Sequence, residues 1–264
     1  MASTHHTASR SERSAGTWLL VQITDCHIRA DSGFTYDGID TRESLLEVMA
    51  LMQARHGLPD AVALSGDLSD DGSQASYAWL RGRLTTLAVP AYCIPGNHDD
   101  AEVLRAVLPG DNVHVTDWAE LGGWQLVLLS SAVAGQEGGS LGRGGQDALS
   151  GLLRFAGHAP TLVLLHHPPV PVGSPWLDTM RLDDAEAFFE VIDRHPNVRA
   201  VIFGHIHQTY DEKRKHARLL GTPSTCAQFT PRTERHLKDV LTAGYRWFLL
   251  KSDGGWETGV ERLS

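Results

Sequence analysis

Five short apolar runs of this chain each stop at side chains able to bind a cation. Residues 18–24 lead to Asp25 and His27, and residues 61–66 lead to Asp67. Residues 91–96 lead to Asn97 and His98, residues 161–165 to His166 and His167, and residues 200–204 to His205 and His207. One such ending carries little information, because Asp-x-His and Gly-Asp are common pairs. Five of them imply one crevice at the strand ends of an α/β sheet, furnished with oxygen and imidazole donors. A protein builds a two-metal hydrolytic site in this way. Carboxylate, imidazole and amide oxygen together suit Fe, Mn, Zn or Co better than Ca. With no thiolate among the donors, a structural zinc site is not expected. A carboxylate readily bridges two cations, and Asp67 stands alone after its run. Two divalent ions, less Asp25, Asp67 and a bridging hydroxide, leave about one positive charge, which favours an anionic phosphate. The ions would also bring a bridging water close to deprotonation at neutral pH, supplying a nucleophile.

The elements that must hold these residues follow from periodicity. Strands are expected over about residues 19–24, 61–65 and 91–94, separated by helices from about 40 or 41 to 56 and from 74 to 84. Asp40 with Glu43 has the spacing of a capping box, and Leu45, Met49 and Met52 should face the sheet. This β-α-β-α-β start calls for parallel strands joined by right-handed crossovers. Side chains at i and i+2 of an extended run share a face, so Asp25 and His27 should point one way and Cys26 the other, and His205 and His207 should repeat that geometry. Gly66, Gly96 and Gly204 should let the backbone turn sharply and admit a substrate. Further strands are expected over residues 113–115, 125–130, 161–165 and 200–203. A glycine-heavy loop should span 135–145, with helices over about 146–155 and along Leu182, Ala185, Phe189 and Ile192. Pro168, Pro169, Pro171 and Pro175 should force a stiff, extended excursion. From residue 208 onward the pattern reads as antiparallel β, with strands over 218–220, 245–250 and 256–260. His56, His114, His158, His195, His216 and His236 lack ligand context and are expected on the surface.

The 264 residues fit one large domain or two small ones, with 42% hydrophobic content to build a core. A net charge of −9 argues against nucleic acid held on a broad basic surface. The three cysteines, Cys26, Cys93 and Cys226, show neither zinc-finger spacing nor a disulfide framework, so a reducing, cytoplasmic setting is expected. No apolar stretch is long enough to cross a bilayer, and no membrane partner is expected. Residues 1–16 are polar and lack an apolar signal segment; they are expected to be a disordered extension before a single domain over 17–264, β-rich from about 208.

Taken together, Asp25-x-His27, Gly66-Asp67, Gly96-Asn97-His98-Asp99, His166-His167-Pro168-Pro169 and Gly204-His205-Ile206-His207 resemble the signature of the calcineurin-like metallophosphoesterases. The stretches around Asp40-Thr41, Pro175-Trp176-Leu177-Asp178, Cys226-Ala227-Gln228-Phe229 and Gly244-Tyr245-Arg246-Trp247 are similar to the class III cyclic-nucleotide phosphodiesterases, the bacterial cyclic AMP enzymes above all. The resemblance implies an α/β fold, a four-layer α/β/β/α sandwich of two mixed sheets with outer helices. It implies one metal on Asp25, His27, Asp67 and His207 and a second on Asp67, Asn97, His166 and His205, the ions being Fe, Mn or Zn, divalent or of mixed valence. His98 would then donate a proton to the departing alkoxide or steady the phosphoryl oxygens, and His27, Asp67, Asn97, His98 and His207 would meet the substrate. Asp99 either orients His98 or is a plain surface carboxylate. His167 would lie behind the ligands or on the substrate side. Phe34, Tyr36, Trp176 and Leu177 are candidates for the rim that recognises base and sugar.

The activity implied is hydrolysis of a 3′,5′-cyclic nucleotide, cyclic AMP first, to the 5′-monophosphate by attack of a metal-bound hydroxide. A glycerophosphodiesterase or broad phosphodiesterase would use the same cage. A catalytically silent relative that binds a nucleotide or a partner should have lost a donor, and none is missing. The apolar, β-rich C-terminal third either closes the core or covers a homodimer contact.

Overall fold

The computed structural model describes residues 13–264. Most of the expected N-terminal extension, residues 1–12, lies outside the described residues. Arg13 reaches the backbone oxygens of His56 and Leu58 and pairs with Asp60 at 3.3 Å. The chain then runs β1 (Thr17–Ile23), β2 (Thr35–Tyr36), β3 (Ile39–Asp40), α1 (Thr41–His56), β4 (Ala61–Ser65), α2 (Gln74–Thr86) and β5 (Ala91–Ile94). Next come α3 (Ala101–Val107), β6 (Val113–Val115), β7 (Trp118–Leu121), β8 (Trp124–Leu128), α4 (Gly142–Ala156), β9 (Thr161–Leu164), α5 (Pro175–Asp178) and α6 (Ala185–Ile192). The last elements are β10 (Val198–Phe203), β11 (Tyr210–Arg214), β12 (Ala217–Gly221), β13 (Gly244–Lys251) and β14 (Trp256–Arg262).

Two six-stranded sheets result, ordered β14-β13-β1-β4-β5-β6 and β11-β12-β10-β9-β8-β7. Each has four mutually parallel strands; antiparallel strands flank them on both sides of the second sheet, whereas in the first sheet β13 and β14 flank one side and the parallel β6 forms the other edge. β1 shows why both faces are covered. Its Leu19, Val21 and Ile23 join the core beneath α1 and α2, whereas Leu20 joins the core between the sheets. The period of two sends alternate apolar residues to opposite sides. The second sheet does the same, with Val163, Val201 and Phe203 facing α4 and α6 and Leu162, Leu164, Ala200 and Ile202 facing the first sheet. Each such buried side chain contributes about 1.5–3 kcal/mol. The order helix, sheet, sheet, helix is the four-layer sandwich that the resemblance implies.

A polar network ties the two sheets together below the crevice. Arg246 of β13 is 2% exposed and donates to the Gly221 oxygen of β12 at 2.9 Å. Gln22 of β1 donates to Ser65 at 2.7 Å and accepts from Thr222. Burial lowers the Arg246 pKa to about 10, and carbonyl oxygens satisfy its charge.

Several local readings change. Residues 142–145 are helical, although the six glycines among the eleven residues at 135–145 suggest a loop; the distant Asp184 carboxylate accepts from Leu141 N and Gly142 N and fastens the start of α4. Pro175 opens a one-turn helix within the otherwise extended proline segment, because a proline at the first helical position loses no hydrogen bond. β12 pairs in parallel with β10, so the antiparallel reading of the C-terminal third holds for β11–β12, β13–β14 and the pairing of β13 with β1, but not for β12 with β10. α3 was not foreseen; Asp100 caps it by accepting from Glu102 N and Val103 N. His56 is fully buried, edge-on to Tyr245, and is no surface histidine. Among the described residues, no helix is long and apolar enough to cross a membrane.

Candidate metal centre

The five chemical endings sit at the C-terminal ends of five parallel strands. Asp25 and His27 follow β1, Asp67 follows β4, Asn97 and His98 follow β5, His166 follows β9, and His205 and His207 follow β10. Neighbouring strands bring these ends side by side, and the two sheets bring the two groups face to face. The local reason for convergence is not the extended i, i+2 geometry expected from the pattern. Asp25, His27, Asp67, His205 and His207 all have positive φ, from 46° to 67°. Left-handed backbone at a non-glycine residue is costly, and it persists where the surrounding structure over-determines it. Here it turns each donor out of its strand and into the crevice. Cys26 and Ile206, between the paired donors, do point away into the two cores.

The glycines serve the donors more than a substrate. A Cβ on Gly96 would lie 2.2 Å from Asp67 Oδ1 and 2.8 Å from His166 Nε2, and one on Gly204 would lie 2.7 Å from Asp25 Oδ2. The backbone there is the wall against which the donors rest.

Donor atoms meet at short range. His27 Nε2 lies 3.3 Å from His207 Nε2, which lies 3.3 Å from Asp25 Oδ1. His166 Nε2 lies 3.1 Å from Asn97 Oδ1, which lies 3.0 Å from His205 Nδ1. Asp67 Oδ2 stands between the groups, 3.8 Å from His27 Nε2 and 3.3 Å from His166 Nε2, while its Oδ1 accepts from His98 N. Ligands about 2.1 Å from one cation lie roughly 3.0–3.4 Å from each other. Hydrogen bonding fixes which nitrogens face inward. His27 Nδ1 points at Asp70 Oδ1 at 3.0 Å, and His207 Nδ1 points at the Ala227 oxygen at 2.8 Å. Each therefore carries its proton on Nδ1, and in a neutral ring two Nε2 lone pairs confront each other. A cation between them resolves that repulsion, so the residues fit a metal site. Among the described residues, the buried His205 Nε2 has no hydrogen-bond partner.

Electrostatics agree with the donor set. Burial alone would raise Asp67, but the charge and hydrogen bond of His166 hold it well below the usual carboxylate range. Burial lowers His27 and His205 and keeps them neutral. Burial also pulls on His166, yet the Asp67 charge outweighs it and lifts the pKa to about 9. A cation taken up there displaces that proton, so loading releases protons and weakens in acid.

The neighbours sort themselves by their partners. Both nitrogens of His167 are engaged, Nδ1 with Ser131 Oγ at 2.8 Å and Nε2 with the Glu137 oxygen at 3.1 Å. Cys226 lies close to His27 and His207, but its thiol bonds Ser224 Oγ at 3.0 Å, and burial pushes its pKa up. His98 side chain is 37% exposed, with Nδ1 3.3 Å from Asp70 Oδ1. Burial would lower its pKa; the Asp70 hydrogen bond and the Asp67 charge raise it to about 9, so the ring carries a proton at neutral pH. Asp99 does neither thing expected of it. It accepts from Gly96 N, Leu68 N, Ser69 N and the Tyr77 hydroxyl and staples the Asp67 loop to the Asn97 loop. Tyr36, Trp176 and Leu177 line the 170 Å³ cavity over the donors, whereas Phe34 instead lies beneath the Arg29 guanidinium.

Sequence reasoning missed Asp70 and Phe229. Phe229 stacks on His207 at 4.0 Å between ring centres, as Tyr36 stacks on His27 at 4.4 Å. Asp70 accepts from His27, His98 and Arg29 at once, and its signal was only a carboxylate three residues after Asp67. Replacing it tests whether that position matters. Asp70→Asn is expected to lower turnover about 10–100-fold, as loss of a group behind a metal ligand does; steady-state kinetics with metal analysis checks this.

A four-layer sandwich whose strand ends gather two carboxylates, an amide and four imidazoles defines a metal-dependent phosphoesterase class. Comparison with known proteins agrees: the calcineurin-like phosphoesterase family matches residues 19–209, a span holding every donor from Asp25 to His207. The chain belongs to that family. It is 38% identical to the 3′,5′-cyclic adenosine monophosphate phosphodiesterase CpdA of Pseudomonas aeruginosa over 245 residues, 93% of this chain and 90% of that protein. It is 34% identical to the protein of the same name from Escherichia coli K12, again covering 93% and 90%. Among solved structures, a dimetal phosphatase from Danio rerio superposes with a TM-score of 0.62 at 15% identity, covering 94% of this chain and 99% of that one, a likeness of fold.

Proposed function

We propose that the chain hydrolyses 3′,5′-cyclic nucleotides, cyclic AMP first, to 5′-monophosphates at a two-metal centre of Fe, Mn or Zn. Asp25, His27, Asp67 and His207 would hold one ion, and Asp67, Asn97, His166 and His205 the other. The observation that carries this reading is the pair of inward lone pairs on His27 and His207, 3.3 Å apart beside a shared Asp67 oxygen. Cyclic AMP is favoured because relatives bearing that substrate in their names match along nine-tenths of both chains. Two such ions supply an activated water at neutral pH and neutralise phosphoryl oxygens.

The chain's own groups do the rest. His27, Asp67, Asn97, His98 and His207 line the cavity in which the phosphoryl group would sit. As the P–O3′ bond breaks and a P–O bond from water forms, His98 gives its proton to the departing ribose oxygen. That alkoxide is a poor leaving group, so the donor contributes roughly 10²–10⁴-fold. Tyr36, Trp176 and Phe229 roof the cavity and limit bulk water. Cys26, Cys93 and Cys226 are free thiols, which suits a cytoplasmic setting.

The test is a substrate panel on protein purified without chelators. Cyclic AMP should be turned over faster than cyclic GMP, and both faster than glycerophosphocholine. Faster cleavage of the glycerophosphodiester would assign the same centre to that substrate class instead.

A further inference from the structure

The cavity over the donors is only 170 Å³, below the roughly 300–1,000 Å³ of pockets that enclose small ligands. It has room for a phosphodiester but not for the nucleoside attached to it. A second cavity of 610 Å³ adjoins it and shares Asn97 and His98 as its border. Its other walls are residues 71–72, the start of α3 with Glu102 and Arg105, and the loop 130–135. The still larger 780 Å³ cavity beside α1 is bordered by none of the candidate ligands.

We propose that the 610 Å³ cleft beyond His98 takes the uncharged nucleoside on the leaving side of the diester, and that its carboxylates turn away diesters carrying a further phosphate. The proposal rests on the cyclic-nucleotide reading above. Position is the first argument. A proton donor must touch the leaving oxygen, so the alcohol attached to that oxygen lies against His98. His98 borders both of these cavities; the smaller would hold the phosphoryl group, and the larger has room for the nucleoside.

Charge is the second argument. The cleft is lined by four carboxylates, Asp71, Asp99, Asp100 and Glu102, against two cations, Arg105 and the protonated His98 at its border. Three of the carboxylates are occupied by backbone N–H groups: Asp71 by Ala30 and Ser73, Asp99 by Gly96, and Asp100 by Glu102 and Val103. Glu102 pairs with nothing among the described residues, and Arg105 makes only a 3.4 Å bond to the Ala101 oxygen of its own helix. These two stand three apart on α3, on one face, free to meet the donors and acceptors of a base or ribose. A neutral nucleoside meets no repulsion here, whereas a second phosphate faces an excess of like charge. Such a repulsive element separates substrates that share the reacting group.

The test compares three substrates: cyclic AMP, bis(p-nitrophenyl) phosphate, which lacks ribose and base, and the 5′-phosphorylated dinucleotide pApA, which carries a further phosphate. Ala134→Trp fills the cleft from its exposed loop. It should lower kcat/KM for cyclic AMP relative to bis(p-nitrophenyl) phosphate by about tenfold or more, chiefly through KM. Glu102→Lys should raise kcat/KM for pApA relative to cyclic AMP by about fivefold or more. A general loss of folding lowers all substrates together and leaves these ratios unmoved. Ratios within about twofold of wild type in Glu102→Lys overturn the subsite, whatever Ala134→Trp does. A wild-type chain that cleaves bis(p-nitrophenyl) phosphate but no cyclic nucleotide overturns the functional reading and this subsite with it. A wild-type chain that cleaves cyclic AMP while the ratios stay fixed overturns the subsite alone.

Discussion

Asp67→Asn is expected to empty both halves of the centre and to lower phosphodiester turnover by about a thousandfold or more, equivalent to roughly 4 kcal/mol of lost transition-state stabilisation. The expectation follows from position. Among the described residues, Asp67 Oδ2 is the one carboxylate oxygen within 4.0 Å of both His27 Nε2 and His166 Nε2, at 3.8 Å and 3.3 Å. An amide in its place is nearly the same size, so the His98 N bond to Oδ1 and the left-handed turn at residue 67 can survive. What is lost is a negative charge shared by two cations and the ability to bridge them. Elemental analysis should find fewer than one metal per chain where wild type holds about two. The fold should persist, since the core clusters do not include residue 67. A variant that kept both metals and wild-type turnover would remove Asp67 from the centre. Asn97→Ala should act in the same direction but on the His166 and His205 half, because Asn97 Oδ1 touches only those two donors.

Most of this centre was legible in the chain because strand ends are legible. β4, β5 and β6 begin and end where the apolar runs do, and β1 differs by one or two residues. β4 is buried along its whole length and β1 and β5 along most of theirs, so sequence and burial report nearly the same boundary. The donors then follow at once, and parallel pairing places their ends together without any further information. What remained hidden depends on contacts between distant segments. Asp184 stabilises the glycine-rich start of α4 from more than forty residues away. Asp70 is distinguished from Asp71 only by which histidines it reaches. Phe229 lies over His207 because the segment after β12 returns across the crevice, pairing Thr225 N with the Thr24 oxygen. The backbone reason for the convergence was hidden as well. Nothing in Asp25-x-His27 or His205-x-His207 announces left-handed φ, since Asp and His adopt it more often than most non-glycine residues but still only in a minority of cases. The pattern therefore found the right residues while assigning them the wrong backbone geometry. His56 failed for the opposite reason: its surroundings are built by Tyr245 and Trp247, nearly two hundred positions later.

His98→Ala separates holding metal from moving a proton. His98 borders the phosphoryl cavity, contributes backbone N–H to Asp67, and turns its ring toward Asp70 instead of joining the donor cluster around Asn97. The backbone bond survives the substitution, so metal content should remain about two per chain. Turnover of cyclic AMP should fall roughly 10²–10⁴-fold, because the ribose oxygen must then leave without a donor. The decisive comparison is the leaving group. A p-nitrophenolate departs without protonation, so bis(p-nitrophenyl) phosphate should lose far less than cyclic AMP in the same variant. If His98 instead steadies phosphoryl oxygens, both substrates carry the same phosphoryl charge and should suffer alike. Loss of metal together with activity would place His98 in the cage. The first outcome is expected because the ring is held by Asp70, a carboxylate that helps raise its pKa to about 9 and keeps a proton on a ring bordering the cavity over the donors.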